Sequence, residues 1–175
     1  EEVAAMQAVA DGEGRGITIE PWDYRYYAEK VRQATYDLDS DELKQYLQLD
    51  RLREGMFFVA GELFNFAFTR ITDGSVPVFH EDVSVWEVID KTTGDHIGVW
   101  YLDPFARPGK GSGAWASSYR SHETFDDKVT VLGSNNSNFI EAPAGAPVLV
   151  SWDDAETLFH EFGHALHYFS SAVEY

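Results

Sequence analysis

Through roughly the first third of the chain, apolar residues recur every three or four positions, the spacing of amphipathic helices. The pattern predicts helices over residues 22–36, 40–47 and 50–64, with residues 11–16 as a loop. The short apolar–polar stretch at residues 3–9 is assigned to no element. One face of the third helix is expected to pack on a core, through Leu49, Leu52, Met56, Val59, Ala60 and Leu63.

After residue 65 the period shortens to two, the alternation typical of a half-buried strand. Strands are predicted at residues 67–71, 83–89, 97–102 and 128–132. A turn at residues 92–95 joins the second strand to the third as a hairpin. Residues 103–113, rich in Gly and Pro, are predicted to form a loop, and the polar run 133–138 a turn. The pattern favours an antiparallel sheet with one side facing solvent.

Helical spacing returns near the C-terminus. A helix is predicted over residues 153–169, with a buried face made of Ala155, Leu158, Phe159, Phe162, Ala165, Leu166 and Phe169. Ser151 or Asp153 can serve as its N-cap, and acidic residues in the first turn suit the positive end of the helix dipole. Gly163 is a poor helix former, which indicates that a strand or a substrate backbone packs closely there.

These elements indicate an α+β fold, with helices and a small, mainly antiparallel sheet. The 175 residues are enough for one hydrophobic core, and no internal repeat or low-complexity linker divides them. We therefore interpret residues 1–175 as a single domain or as one piece of a domain.

Composition narrows the classes of function. A net charge of −17 disfavours binding to nucleic acids and to anionic membranes, because both rely on clustered Lys and Arg. No apolar run is long enough to span a bilayer. Because cysteine is absent, a zinc site would have to use His, Asp or Glu. We expect a soluble protein of the cytoplasm or the periplasm, a choice that the sequence leaves open.

The last helix contains the pattern His-Glu-x-x-His. His160 and His164 are four residues apart, so on a helix their rings lie on one face and can bind the same zinc ion. Glu161 follows the first histidine, where its carboxylate can act as the general base on a water bound by the metal. The pattern therefore predicts a zinc site with His160 and His164 as ligands and Glu161 as the catalytic residue.

The ligand set is incomplete within the sequence. A metzincin would have Gly at position 167 and His at position 170, where this chain has His167 and Ser170. The third ligand is then expected to be a glutamate from a later helix. The only acid after His164 is Glu174, about 15 Å further along the axis if the helix continues. We expect the chain to be a fragment of a larger protease, ending before the site is complete.

Two neighbours of the motif have open roles. Glu156 lies one turn before His160 and can accept its second ring proton, or it can simply be a solvated partner of the helix dipole. His167 lies one turn after His164 but points in a drifting direction, so we interpret it as support for the ligands or as plain surface.

Several segments of the chain resemble the thimet oligopeptidase family, which includes oligopeptidase A and the bacterial peptidyl-dipeptidases. The resemblance rests first on the segment from Leu158 to His167 around the motif. It continues, in order, in Trp22-Asp23 with Tyr26-Tyr27, Tyr101 to Lys110, Gly113-Ala114-Trp115, Asn138-Phe139, Pro147-Val148-Leu149 and Trp152-Asp153-Asp154.

This resemblance implies a zinc-dependent peptidase, a peptidyl-dipeptidase or an oligopeptidase, that acts on short peptides within a mostly helical clamshell. It implies zinc ligands at His160 and His164 and a general base at Glu161. The third ligand and the substrate-binding Tyr and His residues of the family would lie beyond Tyr175. The isolated chain is therefore expected to be inactive. The edge of the small sheet is a candidate for pairing with substrate, near residues 113–115 and 135–138, although turns are favoured for both.

A non-catalytic interpretation stays open. Three fixed residues in five can arise by chance, and a buried helix can carry two histidines as plain core. The chain would then be an interaction module or a weak metal-binding module. In either case an incomplete domain is expected to expose Trp and Phe clusters and to self-associate.

Overall fold

The computed structural model describes residues 1–36, 40–125 and 127–173. The chain forms two compact units, Glu1–Gln45 and Tyr46–Tyr175. The first unit contains helices α1 (Glu2–Gly12), α2 (Tyr24–Tyr36) and α3 (Ser40–Lys44). Helices α2 and α3 confirm the first two predicted helices, whereas the sequence pattern at α1 had been assigned to no element. The core of this unit is small, and its buried members are Met6, Ala10 and Tyr27.

The second unit contains two helices and five strands. They are α4 (Leu49–Leu63), β1 (Phe66–Ile71), β2 (Ser84–Asp90), β3 (His96–Phe105), β4 (Trp115–Arg120), β5 (Val131–Phe139) and α5 (Trp152–Ser170). The α+β class is confirmed. The interpretation of residues 1–175 as one domain, or one piece of a domain, stays a prediction.

The five strands form one sheet in the order β1-β2-β3-β5-β4. All neighbouring strands are antiparallel except β3 and β5, which pair in parallel. The sheet is therefore mainly antiparallel, as predicted. After β3 the chain runs to the edge to form β4 and then returns to place β5 between them.

Strand β5 corrects the sequence interpretation most strongly. Residues 133–138 were predicted as a turn, but they lie inside a strand that has a partner on each side, and most of their side chains are buried. Of the predicted strand 128–132, only Val131 and Leu132 belong to β5. The predicted loop 103–113 is also shorter, because β3 continues to Phe105, and β4 after it was missed.

Helices α4 and α5 pack on one face of the sheet, around an aromatic cluster that includes Phe57, Trp100 and Phe162. The stripe predicted for α4 is partly wrong, because Val59 and Leu63 are exposed while Phe57 packs against the core.

The opposite face of the sheet was predicted to face solvent, but part of it is apolar and buried. Val83, Val85, Val99 and Tyr101 form a second, smaller cluster there.

Large apolar side chains are exposed in both units, among them Trp22, Phe58, Phe125 and Trp152. Their exposure agrees with the expectation of uncovered Trp and Phe, while self-association stays a prediction. Within the parts of the chain that the structure describes, no helix combines the length and the apolar composition that are needed to cross a membrane.

Candidate metal centre

Helix α5 begins with a capping box. The hydroxyl of Ser151 accepts a hydrogen bond from the backbone N–H of Asp154 (3.1 Å), and the Asp154 carboxylate accepts one from the backbone N–H of Ser151 (3.1 Å). Each residue satisfies a donor that the first turn would leave free. Of the two N-cap candidates Ser151 is therefore the cap, and Asp153 lies inside the helix, in its acidic first turn.

The apolar face of α5 rests on the sheet. Its buried apolar residues are Ala155, Leu158, Phe162, Ala165 and Phe169, at the predicted helical spacing. Phe159 was expected on this face but is 40% exposed. It follows Leu158 by one residue, which is a rotation of about 100° on a helix, so the two side chains cannot share one narrow face.

The opposite side of α5 carries the two histidines of the motif. Both His160 and His164 are exposed, and the centroids of their rings are 5.0 Å apart with an angle of 78° between the ring planes. The structure thus brings both imidazoles to one place, as the spacing of four residues predicts. Imidazole nitrogens are common zinc ligands, so these two side chains fit a zinc ion as part of its ligand set.

Glu161 lies at the border between the buried and the exposed side of α5. The residue is 9% exposed, and its backbone carbonyl accepts a hydrogen bond of 2.5 Å from Nδ2 of Asn135 on β5. The sequence interpretation missed Asn135 because its run of Asn and Ser is typical of turns. His160 and His164 can therefore face solvent, while the backbone of Glu161 is hydrogen-bonded to the sheet beneath the helix.

Other acids and histidines do not complete the site. Across the described residues, no group of three or more His, Asp or Glu is arranged to hold a metal ion. Glu156 is exposed and makes no hydrogen bond to His160 among the described residues, so of its two open roles only that of a solvated residue near the helix start agrees with the structure. His167 is exposed and lines a cavity of about 510 Å³ with His122 and Tyr168. Glu174 lies outside the described residues.

The end of β3 carries a buried ion cluster that the sequence interpretation did not assign. The Asp103 carboxylate, 2% exposed, accepts two hydrogen bonds from Arg107 (2.6 and 2.8 Å) and lies 3.0 Å from Nζ of Lys110. Nζ of Lys110 also donates to the backbone carbonyls of Asp103 and Phe105.

Electrostatics within this cluster favour the carboxylate. Burial alone would raise the pKa of Asp103, but hydrogen bonds and charge from Arg107 and Lys110 outweigh it and hold that pKa below its ordinary value. Burial also lowers the pKa of Lys110, and Asp103 compensates only in part. One carboxylate is shared by two cations, so its own burial is compensated better than that of the lysine.

The two segments named as candidates for the sheet edge lie in different places. Residues 113–115 lead into β4, which is an edge strand. Residues 135–138 lie in β5, one strand further in. Asn138 nevertheless acts on the edge, because its Nδ2 donates to the backbone carbonyls of Gly111 and Gly113 (2.7 Å each). The loop before β4 is thus fixed from the neighbouring strand.

Comparison with known proteins gives the family of the chain. The family model described as peptidase family M3 matches residues 1–175. The chain is 42% identical to dipeptidyl carboxypeptidase of Escherichia coli (strain K12) over 168 residues, which are 95% of this chain and 24% of that protein. It is 32% identical to oligopeptidase A of Salmonella typhimurium over an alignment of 178 positions, which covers 99% of this chain and 25% of that protein.

The probable thimet oligopeptidase of Arabidopsis thaliana is 26% identical over 155 residues, which are 87% of this chain and 22% of that protein. The chain thus spans about a quarter of the length of the curated relatives that it matches. Taken with the match over residues 1–175, these similarities establish that the chain belongs to peptidase family M3.

Proposed function

We propose that the chain supplies the zinc helix of a peptidase that hydrolyses peptide bonds in short peptides. The observation that carries the proposal is the pair of exposed imidazoles, 5.0 Å apart on α5, with Glu161 between them in sequence. The names of the relatives, dipeptidyl carboxypeptidase and oligopeptidase A, support a peptidyl-dipeptidase or an oligopeptidase as the activity of the complete enzyme.

In this proposal His160 and His164 bind the zinc ion through ring nitrogens, and a third ligand comes from outside the described residues. Zinc, when bound, acts as a Lewis acid on the scissile carbonyl and makes an attacking water more acidic. Both histidines extend from one helix that is anchored on the sheet, so they can hold a cation without loop rearrangement. Since two histidines leave zinc underbound, the isolated chain is expected to be inactive.

The role proposed for Glu161 is proton transfer. Its carboxylate takes a proton from the attacking water and delivers it to the amine that leaves. Its position at the border of α5 suits this role, because the residue is largely buried and still retains some contact with water.

Strand β4 is the proposed substrate platform. It lies at the edge of the sheet, so one row of its backbone N–H and C=O groups lacks a neighbouring strand among the described residues. A short extended peptide can pair with such an edge as an added strand, a mode that recognises the backbone more than the side chains. Helix α5 packs against both β4 and β5, so an edge-bound peptide would run close to the motif helix.

Zinc titration of the chain by calorimetry tests the proposal. We expect weak binding by the unchanged chain, none by His160→Ala, and undiminished binding by Glu161→Gln, because Glu161 is not a ligand. In the complete enzyme, His160→Ala is expected to abolish peptide hydrolysis and Glu161→Gln to lower it strongly. Equal zinc binding by the unchanged chain and by His160→Ala would contradict a metal role and favour the non-catalytic interaction module.

A further inference from the structure

We infer that Asn135, oriented by Trp100, is a positioning residue for Glu161. The inference rests on the proposed function, since it gives that residue the task of holding the general base in register. It concerns side chains beneath the helix, which touch neither metal nor substrate.

The first link is the indole of Trp100. Trp100 is 0% exposed, and its Nε1–H donates to Oδ1 of Asn135 at 2.6 Å. An indole N–H can only donate, and leaving it unpaired in the interior would be costly. The bond therefore fixes which end of the Asn135 amide carries the oxygen, so Nδ2 must point the other way, toward α5.

The second link is the bond from that Nδ2 to the backbone carbonyl of Glu161. A carbonyl within a helix already accepts from the N–H four residues later, and its second lone pair is free for another donor. The bond from Asn135 is therefore not needed to form the helix. It joins β5 to α5 at the residue for which the general-base role is proposed.

Apolar packing alone would fix α5 less sharply. The buried face of the helix is made of Ala, Leu and Phe, and contacts of this kind carry no direction. A hydrogen bond has a narrow range of distance and angle. Because Asn135 is fully buried and held at both ends, it sets the rotation of α5 about its axis, and with it the direction in which Glu161 faces.

The neighbouring residue offers a matched control. Asn136 is also buried, at 3% exposed, but its side chain lies on the other face of β5 and donates to the carbonyl of Trp115 and to the hydroxyl of Ser134. Replacing it removes a buried amide from the same strand without touching α5. A general weakening of the strand would therefore appear with both asparagines, and a loss of helix registration only with Asn135.

The test compares Asn135→Leu with Asn136→Leu in the complete enzyme. For Asn135→Leu we expect kcat to fall about 10- to 100-fold, the range for small misplacements of reacting groups. We expect its KM to stay within twofold and its zinc content to stay unchanged, because both histidines lie on one helix. For Asn136→Leu we expect kcat within threefold and any change to fall on KM, because its amide bonds to Trp115 of the proposed substrate platform β4.

A second readout needs neither activity nor metal. Residual dipolar couplings of the 175-residue chain report the orientation of the α5 N–H bonds relative to β3 and β5. A change in Asn135→Leu and none in Asn136→Leu is expected. If Asn135→Leu does not fold, Trp100→Phe replaces it, since this variant keeps an aromatic ring at the position and removes the donor that orients the amide, at the cost of a small cavity. Trp100→Phe is expected to lower kcat less than Asn135→Leu does.

Unchanged kcat in Asn135→Leu and in Trp100→Phe, an equal fall in Asn136→Leu, or loss of zinc from Asn135→Leu would each overturn the inference. The proposed function is judged separately. It fails if His160→Ala retains zinc and activity, whereas an inactive His160→Ala beside a fully active Asn135→Leu refutes only the positioning role.

Discussion

Two polar clusters of the second unit are built in opposite ways. Asp103 pairs with both Arg107 and Lys110. The carboxylate of Asp103 and the ammonium of Lys110 are almost completely buried. His160 and His164 lie side by side on the exposed surface of α5, without a hydrogen bond between them or to another described residue. Among the described residues, the charged groups of the first cluster are paired with one another, and the imidazoles of the second have no hydrogen-bond partner.

The difference separates structural from chemical use of polar groups. A buried charge is tolerated only when it is paired, so the Asp103 cluster is committed to holding the end of β3 and the loop before β4. The two neighbouring exposed imidazoles join no elements of the fold among the described residues. They contribute little to stability and keep their nitrogens available for a ligand that comes from outside, which is the property expected of a binding site.

The largest expected effect comes from Glu161, beside the exposed histidines, and is confined to activity. In the complete enzyme, Glu161→Gln is expected to lower kcat/KM by about 10²- to 10⁴-fold, because it removes proton transfer. Steady-state assays on a short peptide measure the change. His167→Ala on the same helix is the control and is expected to stay within threefold. A Glu161→Gln enzyme of near-normal activity would contradict the role of general base.

The buried cluster should respond in the opposite manner, through stability. Asp103→Asn leaves Arg107 and Lys110 with an uncompensated buried charge, and we expect the free energy of unfolding to fall by about 3–5 kcal/mol. Urea denaturation of the chain measures the change. Asp50→Asn is the matched control, since Asp50 pairs with Arg53 at the surface of α4, and it is expected to cost less than about 1 kcal/mol. Equal costs for the two would refute the contrast.

Lowering the pH should reveal the same contrast through a smaller effect on stability. Because the folded state lowers the pKa of Asp103, its carboxylate contributes stability above the unfolded value of about 3.9, and this contribution is lost as pH falls through the folded pKa. Arg107→Met removes one cause of the lowering, so the folded pKa should rise toward the unfolded value, and the loss should be smaller and complete at a higher pH. Each unit by which the folded pKa of Asp103 rises removes about 1.4 kcal/mol of this contribution to stability.

Urea denaturation at a series of pH values between 3 and 6 tests this shift. Asp103→Asn provides the control, because it carries no titrating group at that position and should lack this part of the pH dependence. Identical pH profiles for the unchanged chain and for Arg107→Met would refute the assignment to Asp103.

The smallest effect is expected at Gly163. A Cβ built there would meet no described atom within 4 Å apart from its chain neighbours and the backbone of its own helix, so the sequence-based expectation of a closely packed strand is wrong. Gly163→Ala should stabilise the chain by up to about 1 kcal/mol through helix propensity. If substrate approaches there, the same change should lower kcat/KM in the complete enzyme.

Gly55 on α4 is the matched control, because it is also helical and also has open space around a built Cβ. Gly55→Ala should give a similar gain in thermal stability and leave kcat/KM unchanged. Equal kinetics for the two alanine variants would refute a special role for the space above Gly163.

The accuracy of the sequence predictions follows the range of the interactions involved. Helix α5 and its histidine pair were predictable because periodicity, capping and the spacing of four residues are local properties. Strand β5 was not, because Gly133 to Asn138 has the composition of a turn and becomes a strand only through distant partners, such as Trp100 and the carbonyl of Glu161. The pairing of Asp103 with Lys110 depends on the path of a loop, which spacing alone does not fix.

The parallel pairing of β3 with β5 has a consequence for how the chain folds. Strands β1, β2 and β3 can assemble one after another through the connections 72–83 and 91–95, but β5 reaches β3 only after the chain has passed through β4. Closing such a long loop is entropically costly, so we expect β4 and β5 to form a hairpin first and to dock on β3 as a unit, in the slowest step. In a pulse-labelling experiment, the amides of β5 that face β3 should then gain protection last.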